Sequence, residues 1–148
     1  MAEREALSTG QVAELLRAAE AVRDSAYSPY SGVRVGAALL ALDGRVFTGC
    51  NVENASYGLT LCAERSAASA AVAAGCRAWR AVAIASSPAE PMMPCGACRQ
   101  FLAEFGLDLE VHVVGGKGAR VAVGLDELLP RAFGPRDLPR EGGVEGAP

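Results

Sequence analysis

The run VRVGAALLALDGRVFTGCNVENASYGLTLCAERSAASAAVAAG, residues 33 to 75, contains the unit from which the fold is read. It divides at Asp43 and Gly44 into two β-rich segments, 33 to 42 and 45 to 52. Asp-Gly between such segments is a strong hairpin signal, so two antiparallel strands are expected. The closing stretch CAERSAASAAVAAG is made of small side chains and ends in Gly75, which predicts a helix over 62 to 74 with the glycine near its C-terminal cap.

Upstream, residues 8 to 26 read as an amphipathic helix. Ser8 with Gln11 forms a capping-box pattern, and Val12, Leu15, Leu16, Ala19 and Val22 fall on one face. SPYSG, 28 to 32, ends it as a turn. Downstream, WRAVAIAS (79 to 86) reads as a third strand and SPAEPMMP as a proline-bearing loop. Pro94 is then expected in the first turn of a helix formed by CGACRQFLAEF. LEVHVVG (109 to 115) and ARVAV (119 to 123) supply two more strands, and DELLPRAF begins as a short helix. This order predicts an α/β fold, a three-layer α/β/α sandwich around a mixed five-stranded sheet. A single domain over 1–148 is expected, with its core at about 8–138 and a flexible charged, glycine-rich tail from 139 to 148.

A chain of 148 residues can bury about two thirds of its unfolded surface and needs no disulfide staples. Hydrophobic residues make up 51%, yet no apolar run approaches the roughly 20 residues of a membrane helix, so no membrane partner is expected. The opening MAEREALSTG resembles neither a signal nor a transit peptide, which makes the cytoplasm the expected location. The net charge is -3, and the arginines are scattered alongside a single lysine, Lys117. Without a basic stripe a nucleic acid partner is not expected, and a small, nearly neutral ligand fits better. The five cysteines, 50, 62, 76, 95 and 98, are odd in number and uneven in spacing, which favours thiols or metal ligands over a disulfide framework.

Cys95 and Cys98 form a CxxC pair, which alone fits a redox dithiol or half a zinc site. A third cysteine, Cys62, also opens a predicted helix, and Glu64 stands beside it. Helix N-termini lower thiol pKa and favour metal binding. Three grouped cysteines without a nearby histidine suggest a site with an open fourth position, the catalytic arrangement for zinc. Three thiolates on Zn²⁺ leave an excess negative charge. Arg65, three residues after Cys62 and so on the same helix face, can offset it. Glu64 is turned by about 200° from Cys62 in a regular helix. Its reach from the helix mouth suits a proton shuttle rather than a ligand.

CAER, PCGACRQ and NVENASY, with YSPYSG, VGAALL and ELLPRAFGPRDL, together resemble the zinc-dependent cytidine deaminase family of small homotetrameric type, over residues of about 10 to 138. The resemblance implies one zinc per subunit, held by Cys62, Cys95 and Cys98 with water in the fourth position, and Glu64 as the catalytic proton carrier. It implies that Asn51 and Glu53 read the ribose 3′-hydroxyl, that Ala55 and Ala63 offer main-chain groups, and that Tyr57 lies near the 5′ side. The expected activity is hydrolytic deamination of free cytidine and 2′-deoxycytidine in pyrimidine salvage, by a homotetramer whose active sites are shared between subunits. Phe133 matches a residue that reaches a neighbour's site. Many relatives carry phenylalanine where this chain has Val33, a loss of about 0.5–1.5 kcal/mol of ring contact beyond area burial.

Blander readings hold elsewhere. His112 is read as a strand residue, Cys50 and Cys76 as small buried residues, and Asn54 as a loop hydrogen bonder or a site residue. Arg99 either shares the work of Arg65 or pairs at a subunit interface. The rival functions are a blasticidin-type nucleoside deaminase, which Val33 leaves open, and a zinc-stabilised interaction module without catalysis.

Overall fold

The structure, a computed structural model, describes residues 5–139. Helix α1, Thr9–Arg23, begins as its capping box requires: Ser8 Oγ accepts from the Gln11 N–H, and the Gln11 side chain accepts from the Ser8 N–H. It stops short of residue 26 because the N–H groups of Asp24, Ser25 and Ala26 bond to Ala21, Val22 and Arg23, three residues back. That tighter pattern is how a helix winds down.

The strands are β1 (Val35–Ala41), β2 (Val46–Cys50), β3 (Trp79–Ser86), β4 (Glu110–Val114) and β5 (Arg120–Gly124). They form one five-stranded sheet in the order β2-β1-β3-β4-β5. Only β3 and β4 run parallel, so the sheet is mixed, as the element order predicts. Gly44, at φ +90, makes the expected turn between β1 and β2. β3 is buried nearly end to end, since both faces of the sheet are covered around it.

Helix α1 packs on one face through Leu15, Leu16 and Ala19 against Ala38, Ala81, Ala83 and Ala85. On the other face lie α2 (Ala63–Ala73) and α3 (Gly96–Ala103), with Ala67, Ala68, Ala71 and Leu102 against Ala37, Leu39, Val82 and Ile84. Three layers result. Small residues set their spacing: a Cβ on Gly36 would come within 2.0 Å of Ala19 O, and one on Gly49 within 2.4 Å of Ala67 N. A short α4, Leu125–Leu128, follows β5.

Several boundaries differ from the sequence reading. Cys95 is the N-cap of α3 in extended backbone, so Pro94 precedes the helix instead of occupying its first turn. α3 ends before residue 105, where Phe105 and Gly106 bond three residues back and Gly106 takes φ +140. Two 3-10 turns, Tyr57–Leu59 and Pro135–Asp137, lie in segments to which the sequence reading assigned no element. The expected tail falls outside the described residues from 140 onward.

Candidate metal and catalytic site

Two helices begin at the site. Cys62 is the N-cap of α2 and Cys95 the N-cap of α3, each in extended backbone and neither spending its side chain on its own helix. The sulfurs meet each other instead. Cys62 Sγ lies 3.7 Å from Cys95 Sγ, and Cys98, buried one turn into α3, completes a group whose atoms all fall within 4.8 Å of one another. A tetrahedral zinc with Zn–S of about 2.3 Å needs sulfurs roughly 3.8 Å apart. The trio therefore fits a zinc ion with one coordination position left over. Arg65 lies on the face predicted from its spacing: Nη2 donates to Cys62 Sγ at 3.5 Å and to Thr60 O at 3.4 Å.

The charges tell the same story. Cys62 is pulled down to about 5, first by the hydrogen bond from the Cys98 thiol, against the effect of burial, and then by Arg65 and Cys95. Cys98 is pushed well up, first by its bond to Cys62, then by burial and the adjacent Glu64 carboxylate. The two thiols interact strongly enough to titrate as a pair, the loss of a proton from one opposing its loss from the other. Glu64 is only 5% exposed. Burial is the first cause raising its pKa; the neighbouring Cys62 charge adds to this, while a hydrogen bond with Cys98 opposes it. Three sulfurs this close, with a buried acid beside them, concentrate negative charge that a divalent cation held by the sulfurs would stabilise. Glu64 approaches the group by way of Cys98 on the facing helix, which resolves how a residue turned away from Cys62 still reaches the sulfurs.

The second cluster lies along the chain leading to Cys62. Asn51, nearly buried at the end of β2, accepts from the Val35 N–H through Oδ1 at 2.8 Å and donates from Nδ2 to Val33 O at 2.8 Å. Glu53 holds the SPYSG turn: Oε1 accepts from the N–H groups of Tyr30 (2.9 Å) and Ser31 (3.1 Å), and Oε2 from Ser31 Oγ at 2.5 Å. These bonds keep the Glu53 pKa below its ordinary value, with Ser31 Oγ the largest cause. Val33 is half-buried between turn and strand, Ala55 is exposed, and Ala63 is buried directly after Cys62. Tyr57, 73% exposed, meets Tyr30 edge-on with ring centroids 5.5 Å apart. A two-residue bridge, Val52 to Leu61 with both bonds at 2.9 Å, fastens this cluster to the start of α2. Phe133 stands apart at 59% exposed, its carbonyl accepting from Gln100 Nε2 at 2.9 Å.

The turn residues Tyr30 and Ser31 and the donor Gln100 were missed by sequence reasoning. SPYSG signalled a turn but not what grips it. The Arg99 guanidinium donates to Pro94 O at 2.8 Å and Leu128 O at 2.9 Å within the chain. His112 lies on β4 beside Glu110, as expected of a strand residue, and Asn54 accepts from the Ser56 N–H in a local turn. Cys76 is buried, whereas Cys50, on the edge strand β2, is only partly so.

A family model described as the cytidine and deoxycytidylate deaminase zinc-binding region matches residues 10–114. The chain belongs to that family. Among curated relatives, a cytidine deaminase of Sporosarcina psychrophila is 44% identical over 128 residues, 86% of this chain and 94% of its own. A cytidine deaminase of Mycobacterium tuberculosis strain H37Rv is 50% identical over 118 residues, 78% of this chain and 84% of its own. A crystal structure of cytidine deaminase from Burkholderia pseudomallei superposes with a TM-score of 0.80 at 47% identity, covering 86% of this chain and all of that one. The span matched to the zinc-binding deaminase family takes in the three cysteines and Glu64 and ends before the segment of Phe133. Among the described residues no helix is long and apolar enough to cross a membrane.

Proposed function

We propose that this chain hydrolyses free cytidine and 2′-deoxycytidine to uridine and 2′-deoxyuridine, releasing ammonia, as a step of pyrimidine salvage in the cytoplasm. The observation that carries the reading is the trio of sulfurs at zinc spacing with a buried carboxylate, Glu64, against Cys98. Cys62, Cys95 and Cys98 hold the ion, one per subunit. A zinc bound there supplies Lewis-acid chemistry that makes a water nucleophilic near neutral pH.

The chain's own residues do the rest. Glu64 takes a proton from the attacking water and places it on N3 of the cytosine ring as the new bond forms at C4. It then carries the second proton to the departing 4-amino group, so that water and nucleoside become uridine and ammonia with every atom accounted for. Enclosure of the carboxylate supports this role, because a buried acid gives up and regains protons near neutral pH more readily than an exposed one. Arg65 neutralises thiolate charge through its bond to Cys62.

In the same reading Asn51 and Glu53 receive the ribose 3′-hydroxyl. Both are already immobilised by the backbone of residues 30 to 35, so little ordering remains for the substrate to impose. Ala55 and Ala63 offer main-chain groups and Tyr57 flanks the 5′ side. Val33 stands where many relatives place an aromatic ring under the base. Tyr57 and Phe133, large and exposed in one subunit, suit a homotetramer in which a neighbour's Phe133 completes each site. The outward face of α2, with Ser69, Ala70, Ala73 and Ala74 exposed, allows helices of different subunits to approach closely. A monomeric mass by ultracentrifugation would overturn the tetramer.

The activity is tested by following the ultraviolet change of zinc-loaded protein with cytidine, deoxycytidine, cytosine and blasticidin. Conversion of both nucleosides is expected; conversion of neither refutes the reading.

A further inference from the structure

The metal helix has a second occupation. α3 spans Gly96–Ala103, only 8 residues, and its N-cap makes no side-chain hydrogen bond to the helix. Helices this short do not hold themselves in water. Its buried residues are Cys98 and Leu102: Leu102 packs in the core at the end of the helix, and at its start Cys95 and Cys98 belong to the sulfur group. The next two residues, Arg99 and Gln100, both reach toward the C-terminal part of the chain. Arg99 Nη1 donates to Leu128 O at 2.9 Å, and Gln100 Nε2 donates to Phe133 O at 2.9 Å, across 29 and 33 positions of sequence.

Those carbonyls bracket a strained turn. Leu128 is the last residue of α4, so its carbonyl lacks a partner in its own helix and sits at the negative end of the helix dipole, where a guanidinium is favourable. Between the two anchors lies Arg131 with φ 52, the one non-glycine residue with positive φ among those described. Such a conformation persists only where its surroundings over-determine it. Arg99 and Gln100 do so by gripping the turn at both ends, and Arg99 Nε also donates to Pro94 O, immediately before the first ligand of the CxxC pair.

We propose that Arg99 and Gln100 are positioning residues that transmit occupancy of the metal site to the 129–134 turn and so set where Phe133 points. Binding of zinc at Cys95 and Cys98 fixes α3, α3 fixes the two carbonyls, and the strained turn holds its shape. Loss of the ion loosens all three together.

The test is hydrogen exchange on the intact protein, zinc-loaded and after chelation, following peptides that cover 125–138 against β1 and β3 as internal references. Chelation is expected to speed exchange in 125–138 by about tenfold or more while the reference strands change little. Gln100→Met, of similar shape but without a donor, is expected to speed exchange in the same peptides by about fivefold in the zinc-loaded protein, the size of one net hydrogen bond. Its zinc content should stay at one per chain. Arg99→Lys, which keeps the charge and cannot bond both carbonyls, should loosen residues 125–129 more than 133–138. Unchanged exchange in 125–138 on chelation, or in Gln100→Met, overturns the proposal. A kinetic arm rests on the deaminase reading: Gln100→Met should raise KM for cytidine by about fivefold with kcat within about twofold. Exchange needs no turnover, so an inactive protein would refute the function without touching this coupling.

Discussion

Gly49→Ala tests the packing that aims the site. In β2 the added Cβ would lie 2.4 Å from Ala67 N, 2.7 Å from Ser66 Cβ and 2.8 Å from Ser66 C. Two of these are backbone atoms of α2 and cannot rotate away. From 2.4 Å to an ordinary contact of 3.4 Å, α2 must retreat by about 1 Å. Overpacking of this kind costs about 1–3 kcal/mol. In a chain of this size that lowers Tm by roughly 2–12 °C. α2 also carries Cys62, Glu64 and Arg65 in its first turn, and a 1 Å misplacement of reacting groups costs on the order of 10² in rate. A matched control is Gly10→Ala in the first turn of α1, where the nearest atom to a new Cβ is Ser8 Oγ at 3.9 Å. There the substitution should stabilise by about 0.5–1 kcal/mol through helix propensity. Thermal melts and cytidine kcat/KM of both variants decide the matter. A Gly49→Ala protein that melts within a degree of wild type and keeps full activity would refute the close approach of β2 and α2.

Three further outcomes are expected. Cys98→Ala should reduce bound zinc from about one per chain to a trace, read by metal analysis of dialysed protein, because two thiolates no longer complete the donor set. Asn51→Ala should lower unfolding stability by about 1–3 kcal/mol in urea titrations, since the Val33 carbonyl and the Val35 N–H lose their partner together. Glu53 gives a pH dependence with a definite sign. Its pKa in the folded chain is below the ordinary 4.5, so its hold on the SPYSG turn is complete above pH 4.5 and is lost as pH falls through the lowered value. An acid-side change in tyrosine signals from Tyr30 and Tyr57 should appear below pH 4.5 and vanish in Glu53→Gln. The same change persisting in that variant would show that another group is responsible.

Sequence carried the sheet and the metal group because both depend on local chemistry. Asp43 and Gly44 announce the hairpin, Ser8 and Gln11 announce the start of α1, and the helix-opening positions of Cys62 and Cys95 announce where thiolates gather. β3, WRAVAIAS, is apolar from Ala81 to Ala85 without alternation, as fits a strand buried nearly end to end. Less legible were features whose partners lie far along the chain. Nothing local in CRQ shows that Arg99 and Gln100 grip carbonyls near the C-terminus, and nothing local in GCN shows that Gly49 admits the backbone of α2. Asn51 and Glu53 could be singled out as polar residues with work to do. That the work includes holding Val33, Val35 and the SPYSG turn emerges only when these backbones are side by side.

The central claim is that Cys62, Cys95 and Cys98 hold zinc while Glu64 moves protons without ligating it. Zinc content and cytidine turnover of Glu64→Gln, measured on one preparation beside wild type, test it most directly. The account predicts zinc retained at about one per chain and turnover reduced by a factor on the order of 10³ or more. Zinc lost together with activity would make Glu64 a ligand, and turnover near wild type would remove it from the chemistry; either result contradicts the account.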